Sequence, residues 1–437
     1  MFAWSEWILF TSRGGRNHNR GGRVTASAQS SFILRLRYRH AIKVERKPAR
    51  EPAMDKNKLR RTYMELLLDG IVPFWRRHGV DEKFGGVLSC MNEDGTPVSG
   101  DKYIWSQARW VWTCSALYNR IEKCPEFLKW ARGTIDFLLQ QGRDERGRWV
   151  YHTTREGQVV EGAVSIYSDC FVVYGLAEYC RGVPDSDLLA LARKTFASIQ
   201  ERVETPEFAE TAPYKLPPNR RNHGVPMILT EVAGEIARTA GDAALARAAD
   251  EYSDRVMNHF VRPARRCLVE FLDRDYQEVP APEGTFVMPG HAMEAMWFVM
   301  RRAMARNDRK TIRDAAEVLR WHLEKGWDPE YGGIFLGIDA EGHAPFLPNS
   351  ETKLWWPHTE ALYGLLLARE LTGESWCERW FERVREWSFA HFSMPDVGEW
   401  YQRLDRTGKP MTKIVALPVK DPFHLPRALI LSLELLR

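Results

Sequence analysis

Residues 289–334 read PGHAMEAMWFVMRRAMARNDRKTIRDAAEVLRWHLEKGWDPEYGGI. Apolar residues recur at helical spacing over two segments, near 290–306 and 309–325. A short polar turn joins the two, and Tyr331-Gly332-Gly333-Ile334 follows them. That last element recurs in Phe84-Gly85-Gly86-Val87, where the Gly pair admits backbone angles closed to other residues and marks a tight turn. Working outward, the same spacing predicts helices near 57–78, 102–120, 125–141, 164–182, 185–202, 224–240, 242–262, 355–372, 374–391 and 423–436, making twelve in all. Short extended pieces with turn signals fall between alternate pairs, at 85–91, 147–152, 267–272, 332–338 and 399–404. Repeated helix pairs with a loop at one end describe an internally repeated all-α array. Six hairpins of this kind close into a ring whose inner helices surround a cavity open at one end.

The net charge of +4 over 437 residues hides two regimes. Residues 1–53 carry 11 Lys+Arg against 3 Asp+Glu, a balance of +8, and the remaining residues carry 51 against 55, a balance of −4. A nucleic-acid partner could rest only on the first stretch, and none is expected. Residues 1–53 are read as a basic extension, disordered or preceding the true start at Met54, and 54–437 as one domain. The 7 Cys form no CxxC pair, which points to free thiols in a reducing, cytoplasmic setting rather than a disulfide framework. No apolar run is long enough to span a membrane.

Three stretches place polar groups at predicted helix starts beside loops: 289–294 (PGHAME), 351–360 (ETKLWWPHTE) and 420–427 (KDPFHLPR). His291 and Glu294 are three residues apart on one helix face, so the carboxylate could orient the imidazole. His424 has Asp421 and Arg427 nearby. For His152, His322 and His391, and for His358 taken singly, a cap or core role is the simpler reading. The chain has 17 Trp; Trp105, Trp110, Trp112, Trp297, Trp355 and Trp356 fall on predicted inner helices. Aromatic faces stack on sugar rings, but for each taken singly core packing is the simpler reading; the adjacent pair Trp355-Trp356 carries more weight, because neighbouring helix positions cannot both face the core squarely. Neither HExxH nor a Cys/His pair with zinc spacing occurs, so no metal is expected. GxSxG, GxGxxG and phosphate-loop motifs are absent too.

With these motifs in order, PGHAMEAMWF, KLWWPHTEALYGLLLA, EWYQRLDRTGKP, KDPFHLPRALI, KYIWSQARWVW and YSDCFVVYGLAEY, the chain resembles the N-acylglucosamine 2-epimerase family from about Met54 to Arg437. The resemblance implies an (α/α)6 barrel and an isomerase acting on a free sugar. It implies that His291 and His424 are the catalytic histidines, that Arg109 polarises the sugar oxygens, and that Glu294 and Glu360 orient histidines or help open the ring. Trp105, Trp355, Trp356 and His358 would line the pocket; Lys353 matches a motif lysine and is counted with them. Ile228 stands where cellobiose 2-epimerase and mannose isomerase relatives carry a histidine, which favours an N-acetylated sugar. No cofactor is required. Mammalian members bind ATP as an activator, and residues 212–222 are the basic loop that would contact it here. A homodimer is a further expectation. The competing readings are an aldose–ketose isomerase, a cellobiose 2-epimerase, an (α/α)6 glycoside hydrolase using two of Glu294, Glu360 and Glu399, and a non-enzymatic binding protein.

Overall fold

The structure, a computed structural model, describes residues 54–205, 208, 219–412 and 418–437. The expectations for residues 1–53 and for 212–218 of the basic loop lie outside them. The helices are α1 (Lys56–Glu65), α2 (Val72–His78), α3 (Ile104–Ala116), α4 (Pro125–Gln141), α5 (Ile166–Gly182), α6 (Ser186–Val203), α7 (Gly224–Ala240), α8 (Ala243–Arg255), α9 (Pro289–Ala305), α10 (Arg309–Gly326), α11 (Trp355–Thr372), α12 (Ser375–His391) and α13 (His424–Leu435). A π-helical turn, Leu66–Ile71, joins α1 to α2, so the helix expected over 57–78 is one rod with a wider turn inside it. Similar turns extend α3 (Leu117–Ile121) and α8 (Val256–Phe260). Apolar spacing does not register such a turn, because one extra residue merely rotates the stripe.

The two helices of the opening stretch separate by burial. In α9, 13 of 17 residues are buried, on all sides; in α10, 8 of 18 are, along one face. A helix apolar all round belongs inside, and a one-sided helix belongs outside. The inner helices close a ring: α3 packs on α5, α5 on α7, α7 on α9, α9 on α11, α11 on α13, and α13 returns to α3. The outer helices cover the seams, α6 lying on α5 and α7, α8 on α7 and α9, α10 on α9 and α11; α1 packs on α13. The described residues thus form an all-α (α/α)6 barrel, and their strands are two or three residues long. Strands Lys102–Tyr103, His152–Thr153 and Val159–Glu161 make one three-stranded sheet, and the other sheets are pairs. No described helix is long and apolar enough to cross a membrane.

The two Gly-Gly turns serve the same socket twice. Gly85 and Gly86 have φ of 76° and 81°, Gly332 and Gly333 71° and 77°. Each turn exposes a carbonyl to a buried lysine. Lys102 Nζ donates to Asp81 at 2.9 Å and to the Gly85 and Arg155 carbonyls at 2.7 and 3.0 Å. Lys353 Nζ donates to Asp328 at 2.9 Å and to the Gly332 and Arg406 carbonyls at 2.5 and 3.0 Å. Both lysine side chains are 0% exposed. Lys353 therefore does not reach the cavity, which corrects its place among the pocket residues: it staples a rim loop to the start of α11. Lys353→Met should cost about 3 kcal/mol, because it removes one member of a buried ion pair. Denaturant unfolding would show this, and the folded fraction should keep its specific activity.

Candidate active site

Every inner helix contributes side chains from its first two turns to one open cavity, of about 1180 Å³ with its solvent-filled mouth included. Trp105 and Arg109 come from α3, Tyr167 and Phe171 from α5, and Met227 and Ile228 from α7. His291 and Glu294 come from α9, Trp355 and Trp356 from α11, and His424 from α13. Leu354, Gln402, Arg403, Val419 and Asp421 complete the wall from the loops. The six N-termini therefore converge on the cavity, and their partial positive charges favour an anion there.

His424 Nδ1 lies 2.8 Å from Glu360 Oε1. Glu360 Oε2 accepts from Trp297 Nε1 at 2.7 Å, and Arg427 donates to Glu360 and Glu294 at 2.8 and 2.5 Å. Burial opposes ionisation of Glu360, but the Arg427 charge and the His424 contact outweigh it and hold the carboxyl well below its usual range. Asp421 caps α13, one oxygen accepting from the His424 and Phe423 backbone N–H groups and the other from Arg109 at 2.9 Å. The Arg109 guanidinium lies over Phe171, Trp105 and Phe423, 4.1, 4.8 and 5.0 Å from their ring centres. Burial pulls its pKa down, with Asp421 opposing.

His291 has another partner than its own helix supplies. Its Nδ1 lies 3.1 Å from Glu270 Oε1, and Asn222 donates to the same oxygen at 2.7 Å. Glu294 instead pairs with Arg427, which corrects the expected His291–Glu294 orientation. Burial alone would lower the His291 pKa, but the Glu270 charge and contact raise it above the ordinary value. Burial likewise opposes ionisation of Glu270; His223 and His291 outweigh it and hold the carboxyl well below its usual range. Trp356 stands between the two candidate histidines, its ring 5.2 Å from His291 and 5.8 Å from His424. That placement needs Gly290, where a Cβ would sit 2.5 Å from the Trp356 ring.

The structure brings Arg109, His291, Glu294, His424, Trp105, Trp355 and Trp356 to the cavity wall, with Glu360 directly behind His424. His358 is elsewhere, a correction to its place in the pocket. It is 0% exposed, its Nδ1 bonded to the Leu354 carbonyl at 2.7 Å and its Nε2 accepting from the Ile334 N–H at 2.9 Å. These bonds fix it as a neutral tautomer, and burial pushes its pKa down to about 3. His322 makes the equivalent pair of bonds with Val318 and Leu268. Sequence reasoning missed Glu270, Asn222, Tyr167, Phe171, Gln402 and the bridging role of Arg427. Arg427 and Asp421 lay inside a quoted motif and were within reach; Glu270 lay in a stretch read only as strand. From the basic loop, Arg220 pairs with Glu283 at 2.7 Å, and Arg221 donates to the Arg274 carbonyl at 2.7 Å.

A ring of paired helices with carboxylate-backed imidazoles and a buried arginine at the converging N-termini defines an (α/α)6 barrel with a polar site equipped with acid–base groups. Comparison with known proteins makes this particular. The family model of N-acylglucosamine 2-epimerase (GlcNAc 2-epimerase) matches residues 86–427. The chain is 33% identical over 380 residues to N-acylglucosamine 2-epimerase of Bos taurus, covering 84% of this chain and 89% of that one. It is 30% identical over 379 residues to the Homo sapiens protein of the same name, covering 84% and 88%. Its fold matches cellobiose 2-epimerase from Bacillus thermoamylovorans with a TM-score of 0.75 at 20% identity, over 86% of this chain and 99% of that one. The chain belongs to the N-acylglucosamine 2-epimerase family and is a sugar 2-epimerase or isomerase.

Proposed function

We propose that the chain interconverts N-acylglucosamine and N-acylmannosamine by inverting C2, with His291 and His424 as the two acid–base groups. The observation that carries this reading is the pair of imidazoles flanking Trp356, each backed by its own carboxylate. Inversion at C2 needs the open-chain sugar, because the C2 proton is acidic only beside a free C1 carbonyl. One imidazole removes the proton, and the other returns one to the opposite face. An imidazole serves as either base or acid near neutral pH. Between the steps an enolate carries negative charge on O1, with the acylamino group still on C2; Arg109 and the inner-helix N-termini are fixed positive groups suited to it. Glu360 and Glu270 hold Nδ1 of their histidines, leaving Nε2 for the substrate.

The apolar wall of Phe171, Met227 and Ile228 supports an acylated amine at C2, since it offers an acetyl methyl an apolar surface and a bare hydroxyl no partner. A glycosidase is disfavoured by the carboxylates. Glu294 and Asp421 are the acids lining the cavity, and both are tied to arginines, whereas a hydrolase needs one carboxyl free to hold a proton. The test is a panel of free sugars incubated in D2O and followed by NMR. Deuterium at C2 of N-acetylglucosamine and N-acetylmannosamine, with interconversion of the two, is the expected result. Turnover of glucose, mannose or cellobiose in their place, or a ketose product, would replace this reading with a relative's.

A further inference from the structure

Two clusters at the cavity bring three metal-binding side chains together: Glu294, Glu360 and His424, and His223, Glu270 and His291. They are not equivalent. The first is already filled by a cation, since the Arg427 guanidinium stands 2.5 and 2.8 Å from its two carboxylates and 3.3 Å from His424 Nδ1. A divalent ion would have to expel that arginine from a buried position. The second contains no lysine or arginine contact. Asn222 satisfies only Glu270 Oε1, while Oε2 is buried without a hydrogen bond. His223 is 1% exposed; its Nδ1 faces Glu270 Oε2 at 3.3 Å without hydrogen-bond geometry, and its Nε2 has no hydrogen-bond partner. Buried polar atoms left this way are costly, and an ion is one way such atoms are satisfied.

The spacing suits a small, nitrogen-preferring cation. His223 Nδ1 is 3.3 Å from Glu270 Oε2, and His291 Nδ1 is 3.1 Å from Glu270 Oε1. The ligand atoms of the three residues all lie within 4.8 Å of one another. Tetrahedral zinc with bonds of about 2.0–2.2 Å spaces its ligands roughly 3.3–3.6 Å apart, so small side-chain shifts would bring one Glu270 oxygen and the two imidazoles around one ion, and two histidines with one carboxylate are a familiar zinc donor set. The ligands stand at 223, 270 and 291, on two loop positions and on α9, so no sequence spacing could announce them.

We propose that His223, Glu270 and His291 form an inhibitory site for a zinc-like transition-metal ion. The ion would take the His291 Nδ1 and the Glu270 oxygen that otherwise hold this imidazole for acid–base work, so occupancy and turnover exclude each other. The inhibitory half rests on the proposed epimerase reading, and the binding half does not.

Full-length protein titrated with Zn²⁺ against a chromophoric chelator should take up one ion per chain. His223→Asn keeps an amide donor toward Glu270 but loses the ligand, so its affinity should fall at least 10-fold. All seven cysteines remain in that variant. Uptake unchanged by His223→Asn would place the ion on thiols and overturn the site. In the exchange assay, one equivalent of Zn²⁺ should suppress C2 deuteration by the wild-type chain, with recovery on adding EDTA. His223→Asn should need at least 10-fold more zinc to halve whatever rate it has without metal. Stoichiometric binding with undiminished exchange would overturn the inhibitory role. Absence of exchange in metal-free wild type would instead strike the epimerase reading, with the chelator titration still deciding the site.

Discussion

Alanine at His291 or at His424 should lower interconversion of the C2 epimers by about 1,000-fold or more, and the double variant should lose little beyond either single one. Both follow from the proposed division of labour, in which one imidazole would remove the proton and the other replace it, so that neither half completes an inversion alone. Each single variant still holds one working base. His291→Ala should therefore retain slow C2 deuteration of one epimer without inversion, and His424→Ala the same for the other epimer. The two epimers report opposite faces of the cavity. Each variant also removes the partner of a buried carboxylate, Glu270 or Glu360, so some stability should be lost as well; thermal melts alongside the NMR assay, with rates taken per folded fraction, separate the two effects. Equal residual exchange of both epimers in one variant would mean that a single base serves both faces.

Arg427→Met should be the most damaging substitution outside the two histidines. Arg427 is 2% exposed and stands between Glu294 and Glu360, its guanidinium over the Phe423 and Trp297 rings at 4.5 and 5.0 Å. Methionine fills much of the apolar space but leaves two buried carboxylates facing each other. Removing one member of a buried ion pair costs about 3–5 kcal/mol, and here one cation serves two anions. The protein should also lose at least about 100-fold in rate, because Glu360 would no longer be fixed behind His424. Chemical denaturation and the epimerisation rate of the folded fraction separate the two effects. A variant as stable as wild type would show that the carboxylates had taken up protons at little cost.

The helices were legible because burial and periodicity agree. Inner helices such as α9 are apolar all round, and outer ones such as α10 carry a single stripe, so the six-hairpin ring could be read from spacing alone. The Gly-Gly repeats were visible as repeats, but their purpose was not. Lys353 is counted with the site because it matches a motif lysine of the family it resembles; only the fold shows it bonded to Asp328 and mirrored by Lys102. Site residues adjacent in sequence, such as Asp421, His424 and Arg427, were within reach. The partner of His291 was not, because proximity on α9 suggested Glu294 while the chain delivers Glu270 from 21 residues upstream. His358 failed for a related reason: its position in a motif says nothing of its ring nitrogens, and both are bonded to backbone in the core.

In the proposed reaction two opposed imidazoles carry a proton to and from C2 of an open-chain N-acylated hexosamine. The most direct measurement is NMR of N-acetylglucosamine, and separately of N-acetylmannosamine, incubated in D2O with wild-type enzyme. Each sugar should yield the other, and the product epimer should carry deuterium at C2 from its first appearance. Product that forms with its C2 hydrogen fully retained would contradict two-base chemistry, and exchange at no position of either sugar would contradict the assignment of these substrates to the site.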